Sequence, residues 1–157
     1  MRMATHPSAL FMALVGAEVR AWNALDAALR DAGNPLSLGR FLVLRTVRDT
    51  PACRIQEVAE NQGITLGAAS RLVDRLHRDG LLHRTPCEHD RRAIILTVTD
   101  AGMDHLGKAE TIVAAEQDRL FAPLSHNQRD DLARALTLLA EASAPSRRSA
   151  AARRGRA

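Results

Sequence analysis

Three arginines in the middle of the chain have a spacing that suits recognition of DNA by a helix. Arg71, Arg75 and Arg78 follow Ala68 at intervals of three, four and three residues, so a helix would present all of them on one exposed strip. An arginine on such a strip can bond bidentately to guanine in the major groove. The alternative is a solvated face on which Asp74 pairs with Arg71 and Arg78. The inward positions of this helix would be Ala69, Leu72, Val73 and Leu76.

A second basic segment follows. Arg91 and Arg92 lie in a polar stretch, residues 86–92, between apolar and β-branched runs at 81–85 and 93–98. This pattern predicts a two-stranded hairpin with a polar turn. An arginine on such a turn can enter a minor groove, and it prefers A·T-rich segments, where the groove is narrow and its potential most negative. A solvated turn with a local pair between Asp90 and Arg92 is the alternative.

The net charge of the chain does not locate this chemistry. Lys and Arg number 22 and Asp and Glu 18, which gives a formal charge of +4. Five of these arginines lie in the last eleven residues, where there is no acid, so residues 1–146 carry 17 bases against 18 acids. The placement of single charges must therefore provide the attraction to DNA, and binding should weaken with salt.

The helix that carries Arg71 is the second of a closely spaced pair. Residues 55–61 predict a short helix, residues 62–64 a tight turn in which Gly63 suits a left-handed backbone, and Thr65 the N-cap of a helix to about residue 79. Two helices joined by a short turn that contains glycine are typical of a helix-turn-helix. Together with the hairpin after it, the pair predicts a winged helix-turn-helix DNA-binding domain over residues 37–99.

Helices with surplus apolar surface flank this domain. Residues 8–30 carry two apolar stripes at helical spacing, so this helix needs two partners. Thr99 is the predicted cap of a long helix to about residue 122, and Ser125 begins a capping box for a last helix to residue 142. We therefore predict a mainly α fold: a winged helix-turn-helix with a two-stranded β-wing, and terminal helices, residues 8–36 and 100–142, that form a dimerisation region. Residues 143–157, rich in Ser, Ala, Pro and Arg, predict a disordered Arg-rich tail.

Four stretches of the chain together resemble one family. They are Ile64-Thr65-Leu66-Gly67-Ala68-Ala69-Ser70-Arg71-Leu72-Val73-Asp74-Arg75-Leu76, Gly80-Leu81-Leu82, Asp90-Arg91-Arg92 and Val98-Thr99-Asp100-Ala101-Gly102. In this order and spacing they resemble the MarR family of bacterial transcriptional regulators, over about residues 8–142. The resemblance implies a two-fold dimer, which would read a near-palindromic operator with half-sites ~10 base pairs apart.

The resemblance also assigns roles within the DNA-binding domain. It implies that Thr65, Ser70 and Arg71 contact phosphates or base edges, that Arg92 is inserted into the minor groove, and that Asp90 pairs with an arginine to stabilise the wing. Gly67 and Ala68 stand where family members often carry hydroxyl residues, so we expect either fewer direct base contacts or a closer approach, with a methyl contact from Ala68 to thymine. The predicted DNA-binding residues are Thr65, Gly67, Ala68, Ser70, Arg71, Arg75, Arg91 and Arg92.

A ligand site is a further implication, because family members often bind small, commonly aromatic acids between the dimer helices and the DNA-binding lobe. Trp22 is the only tryptophan, and it shares the first helix with Arg20, Asp26 and Arg30. These four residues are the predicted effector pocket. The alternative is that Trp22 is a core residue.

The remaining reactive residues support no other chemistry. Cys53 and Cys87 form no CxxC pair, which favours a reducing, cytoplasmic setting, and neither lies where peroxide-sensing relatives carry their cysteine. His83, Cys87 and His89 fall short of a zinc tetrahedron. The sequence has no nucleotide-binding or catalytic motif and no membrane span, so we predict neither an enzyme nor a metal or cofactor.

The sequence thus predicts a homodimeric, DNA-binding transcriptional regulator. We expect a repressor that binds double-stranded operator DNA and is released by a small-molecule effector. Two alternatives stay open at this point: a DNA binder of the same fold without an effector, and a winged-helix module that binds an acidic protein partner.

Overall fold

The computed structural model describes residues 6–87 and 90–143, and for residues 90–92 it describes the backbone but not the side chains. The two strands form an antiparallel hairpin. The predicted mainly α fold with a two-stranded wing is confirmed, and each predicted helix lies within one residue of the observed bounds. In chain order the elements are α1 (Pro7–Asp31), α2 (Leu38–Asp49), α3 (Ile55–Gln62), α4 (Leu66–Arg78), β1 (Leu82–Cys87), β2 (Asp90–Val98), α5 (Asp100–Phe121) and α6 (His126–Ser143).

The turn between α3 and α4 has the predicted local geometry. Gly63 adopts a left-handed conformation with φ of 61°, and the Ile64 amide donates to the Ala59 carbonyl at 3.0 Å, which closes the end of α3. The Thr65 hydroxyl accepts a hydrogen bond from the Ala68 amide at 3.2 Å and so caps α4. These local contacts fix the point at which α4 begins.

One apolar core lies beneath the helix-turn-helix and the wing. Its buried residues come from α1 to α5, the wing strands and the segments between them, so α4 is held from several sides at once. On α4 only one face takes part, which leaves the opposite face for solvent. The largest buried contributors include Phe41 and Leu44 of α2, Val58 of α3, Val73 and Leu76 of α4, Leu82 and Leu96 of the wing, and Leu106 of α5.

The strands of the wing are longer than predicted. Leu82 pairs with Val98 and Pro86 with Ile94, and the register shifts only between Pro86 and Cys87. Proline is compatible with such a strand because an edge position does not need its missing amide hydrogen. The prediction that residues 86–92 form the turn is therefore wrong, because Pro86 and Cys87 belong to β1 and residues 90–92 to β2.

The start of α5 is fixed against the end of the α4 segment. Thr99 donates its hydroxyl to the Gly80 carbonyl at 2.8 Å and accepts from the Gly102 amide at 3.0 Å, as the predicted cap. A Cβ on Gly102 would lie 2.3 Å from the Leu81 carbonyl oxygen. This approach of α5 to the backbone of Leu81 is open only to glycine.

The chain divides into two compact units, residues 1–118 and 119–157. The boundary between them, at 118/119, coincides with neither of the predicted divisions at 37 and 99, because Leu106, Ala109 and Val113 of α5 belong to the same core as α2 and α4. The division into dimerisation and DNA-binding parts stays a prediction, and residues 144–157 of the predicted tail lie outside the described part of the chain.

Apolar side chains on α1 and α6 lie in solvent in the single chain. On α1 Leu29 is the one buried residue, whereas Leu10, Phe11 and Met12 are each more than half exposed. On α6 no residue is buried. Within the described residues, no helix has the length and apolar character that a membrane crossing requires.

Candidate nucleic-acid interface

The outward face of α4 carries the arginines that the sequence singled out. Arg71, Arg75 and Arg78 are exposed, whereas the inward positions Ala69, Val73 and Leu76 are buried. Leu72, the fourth predicted inward position, is half-buried and packs against the core. Among the other predicted contact residues Thr65 and Gly67 are exposed, and Ala68 and Ser70 are half-buried.

Two carboxylates on or next to α4 pair with arginines that belong to other elements. Asp74 accepts from Arg84 of β1 at 2.5 Å, and Asp79 accepts from Arg40 of α2 at 2.5 Å. The alternative in which Asp74 neutralises Arg71 and Arg78 is therefore wrong. Within the part of the chain that the structure describes, Arg71, Arg75 and Arg78 have no carboxylate within ion-pair distance.

The first turn of α4 is exposed to solvent at Thr65, Leu66 and Gly67. The Thr65 hydroxyl accepts from the Ala68 amide and keeps its own proton for donation. A Cβ on Gly67 would meet no atom within 4 Å, and the Gly67 carbonyl accepts from Arg71 Nε at 3.2 Å. Because the N-terminal end of a helix carries partial positive charge, this turn suits a phosphate group.

The predicted wing residues are placed only in part. Asp90, Arg91 and Arg92 lie on β2 rather than on a turn, and their side chains are outside the described part of the structure. The roles of Arg91 and Arg92 in the minor groove, and of Asp90 in stabilising the wing, therefore stay predictions.

Sequence reasoning missed Arg40 and Arg84. Both side chains are partly buried, at 18% and 28% relative exposure, and the Nε atom of each is buried without a partner in the described structure. Their partners are 39 and 10 residues away in sequence, and no local pattern indicates such pairs. Arg48 was missed in the same way: it joins α2 to α5 through Glu110 at 2.7 Å, and its hydrogen bond lowers the pKa of the neighbouring Asp49 carboxyl.

The four predicted effector residues do not line one cleft. Trp22 lines a cleft of about 230 Å³ together with Glu18, Phe41 and Arg45, and the Arg45 guanidinium lies 5.5 Å from the centre of the Phe41 ring. Trp22 is 41% exposed, so the alternative of a core residue is wrong for the single chain.

The other predicted effector residues lie elsewhere on α1. Asp26 and Arg30 line a second cleft of about 330 Å³, where the Asp26 carboxylate accepts from the Leu38 amide at 2.8 Å and thereby stabilises the start of α2. Arg20 folds back along α1 towards Gly16. Of the four predicted residues, Trp22 thus shares its cleft with Arg45, which was not predicted and which follows it by 23 positions on another helix.

The cysteines are free and differ in environment. Cys53 is buried, and burial raises the pKa of its thiol to about 11, so it is neutral at physiological pH. Its carbonyl accepts from the Leu96 amide of β2 at 2.8 Å. Among the described residues no group of three or more His, Cys, Asp or Glu side chains has a metal-binding arrangement, and His89 of the zinc alternative lies outside them.

The chain is similar in sequence to known transcriptional regulators. The sequence model of the MarR family matches residues 36–94. The HTH-type transcriptional regulator BilQ of Clostridium symbiosum is 29% identical over 97 residues, which are 62% of this chain and 67% of that protein. The next two curated relatives are covered over 60% and 46% of their lengths.

Two solved structures extend the similarity beyond the matched segment. The transcriptional repressor CouR, bound to a 23-mer DNA duplex, is 32% identical with a TM-score of 0.75, and the alignment covers 82% of this chain and 89% of CouR. Sco3205 of Streptomyces coelicolor, a MarR family regulator solved in complex with DNA, has a TM-score of 0.82 at 21% identity, with 94% of each chain covered. At that identity the likeness to Sco3205 shows the fold.

Proposed function

Because this chain belongs to the MarR family of DNA-binding transcriptional regulators, we propose that it is a homodimeric repressor of a near-palindromic operator that a small organic acid releases from DNA. The observation that carries the proposal is the exposed arginine face of α4, whose neighbouring carboxylates are paired elsewhere. BilQ is named as a transcriptional regulator and CouR as a repressor solved on DNA, and these names agree with the proposal.

The charge arrangement on α4 supports insertion into the major groove. A free carboxylate beside Arg71 or Arg75 would repel the phosphate backbone and compete with the bases for the guanidinium groups. The pairs Asp74–Arg84 and Asp79–Arg40 remove this competition. In our proposal Arg71 and Arg75 bond to base edges, and Thr65 and Ser70 bond to phosphates or base edges. Gly67 and Ala68 allow the helix to approach the bases closely. Arg91 and Arg92 reach the adjacent minor groove.

The exposed apolar surface of the single chain supports a homodimer. Leu10 and Phe11 of α1 are 58% and 63% exposed, and Leu138 of α6 is 67% exposed. Exposed apolar side chains that lie side by side on one helix, as they do on α1, mark interaction sites in soluble proteins. A second copy covers the same patches on both partners by symmetry, and a symmetric dimer reads a near-palindrome.

The cleft at Trp22 supports an aromatic or other organic acid as the effector. Trp22 and Phe41 provide apolar ring surface, and Arg45 provides a positive charge for a carboxylate. Glu18 also lines the cleft and disfavours multiply charged anions. Such a ligand releases DNA only to the extent that it prefers a dimer whose two α4 helices no longer match the half-sites.

Binding to the promoter region of the protein's own gene tests the proposal. In fluorescence anisotropy titrations we expect Arg71→Ala and Arg92→Ala each to reduce the affinity by about 1–3 kcal/mol. The matched control is Arg134→Ala, since Arg134 is an exposed arginine on α6 that pairs with Asp131. The DNA-binding assignment fails if the two variants bind like the control.

A further inference from the structure

A large apolar side chain lies exposed at the start of the proposed DNA-reading helix. Leu66 is the first residue of α4 and is 60% exposed. Its apolar neighbours Ile64 and Leu72 pack against the core, and Leu66 does not belong to that set. On α3 and α4, both fully described, Leu66 is the one large hydrophobic residue with this exposure. Packing within the chain therefore does not account for leucine at this position.

The surroundings of Leu66 differ from the rest of the α4 face. Ser70 follows four residues later, so the two side chains lie on the same side of the helix. Beside them the space around Gly67 is open to 4 Å, whereas the arginines begin only at Arg71. The side chains of the first turn are thus apolar or uncharged, and the basic side chains start one turn further along.

In a helix-turn-helix the N-terminal residues of the second helix contact base edges in the major groove. The edges exposed there are polar except for the C5-methyl group of thymine, which apolar side chains contact. On this basis, and resting on the function proposed above, we infer that Leu66 is a specificity-determining residue that selects thymine in each half-site through contact with its methyl group. The absence of a side chain at Gly67 lets the backbone approach closely enough for this contact.

The test begins with an operator selected from random-sequence duplexes by the wild-type protein. Each thymine of a half-site is then replaced by deoxyuridine, which removes the methyl group and keeps the base pair. Each half-site should contain one thymine that contacts Leu66. Replacing that thymine in a single half-site should lower the affinity of the wild-type protein about fourfold, the factor that corresponds to one buried methyl group. Symmetric replacement in both half-sites should give a loss of about 15-fold, since the two contacts are equivalent and distant.

Leu66→Ala should bind the thymine operator about as weakly as the wild-type protein binds the deoxyuridine operator, and it should not respond to the replacement. Leu66→Met keeps an apolar side chain of similar size and should retain the response. Thermal unfolding checks that each variant is folded.

The outcomes separate this inference from the proposed function. If the wild-type protein enriches no sequence, the proposed function is overturned and the role of Leu66 with it. If a sequence is enriched but Leu66→Ala and wild-type protein lose the same factor on deoxyuridine substitution, or neither loses any, the operator function stands and the thymine contact is overturned.

Discussion

Arg84 of the wing and Asp74 of α4 form an ion pair, with Nη2 of the arginine 2.5 Å from Oδ1 of the aspartate. The pair joins the first strand of the wing to the helix that carries Arg71 and Arg75. It also occupies the carboxylate nearest to those arginines along the helix. A single contact therefore positions α4 relative to the wing and keeps negative charge away from its exposed face.

Removing Arg84 alone should impair DNA binding more than removing both partners. In Arg84→Ala the Asp74 carboxylate becomes unpaired beside the arginine strip, and we expect the operator affinity to fall several-fold, by about 1 kcal/mol. Asp74→Ala and the double variant should bind within about twofold of the wild-type protein. Anisotropy titrations measure the affinities, and urea unfolding of the four proteins gives the coupling energy, which we expect at ~0.5–1 kcal/mol. Equal losses in Arg84→Ala and the double variant would contradict the electrostatic role of the pair.

Two glycines of α5 should respond to alanine in opposite directions. In Gly102→Ala the new Cβ meets the Leu81 carbonyl oxygen at 2.3 Å, so the backbone at the junction of wing and α5 must shift, and we expect a loss of about 1–3 kcal/mol in the free energy of unfolding. Gly107→Ala meets nothing within 4 Å and should raise the free energy of unfolding by about 0.5–1 kcal/mol, because alanine restricts the unfolded chain. Thermal and urea unfolding check both values, and similar changes in the two variants would show that the close approach at Leu81 is unimportant.

The cleft at Trp22 should report a bound aromatic acid through tryptophan fluorescence. Trp22 is the only tryptophan of the chain and is 41% exposed, so we expect benzoate or salicylate to change its emission. Arg45→Ala should weaken this binding about tenfold, or ~1.4 kcal/mol, through loss of the charge that faces the carboxylate.

Arg30→Ala is the matched control for Arg45→Ala. Because Arg30 lines the other cleft, its substitution should leave the affinity for the aromatic acid unchanged. A screen of aromatic and tricarboxylic acids that neither shifts the emission nor stabilises the protein would favour a regulator without an effector.

Cys53 should resist alkylation and should make stability depend on pH in alkaline solution. Burial raises the pKa of its thiol from 9.0 to about 11, so the folded state disfavours the thiolate. The stability that comes from the neutral thiol is complete below pH 9 and is lost as the pH rises through about 11. Between pH 8 and 10.5 we therefore expect the wild-type protein to lose more unfolding free energy than Cys53→Ala does.

Iodoacetamide at pH 8 tests the same environment directly. We expect it to modify the half-buried Cys87 and to leave Cys53 unmodified in the folded protein, since the thiolate is the reactive form. Rapid modification of Cys53 would contradict its burial and reopen a redox role for this position.

Local patterns in the sequence predicted the helices and the turn because each depends on residues within one or two turns of each other. Thr65 caps α4 through the amide three residues later, and Gly63 ends α3 through its own left-handed backbone. The length of the wing was not predictable in this way. The polar composition of residues 86–92 indicated a turn, but the pairing of Pro86 with Ile94 continued the strands.

The sequence by itself determined that the chain carries a helix-turn-helix, a wing and an arginine strip on the outer face of the second helix, since helical periodicity fixes which residues share a face. Only the tertiary structure decided which charges on that face are free. Asp79 meets Arg40 across 39 positions of sequence, and Trp22 shares a cleft with Arg45 rather than with Asp26. Such pairs depend on where separate helices cross over the common core. The spacing of residues within one helix does not predict these crossings, because they depend on the path of the whole chain around that core.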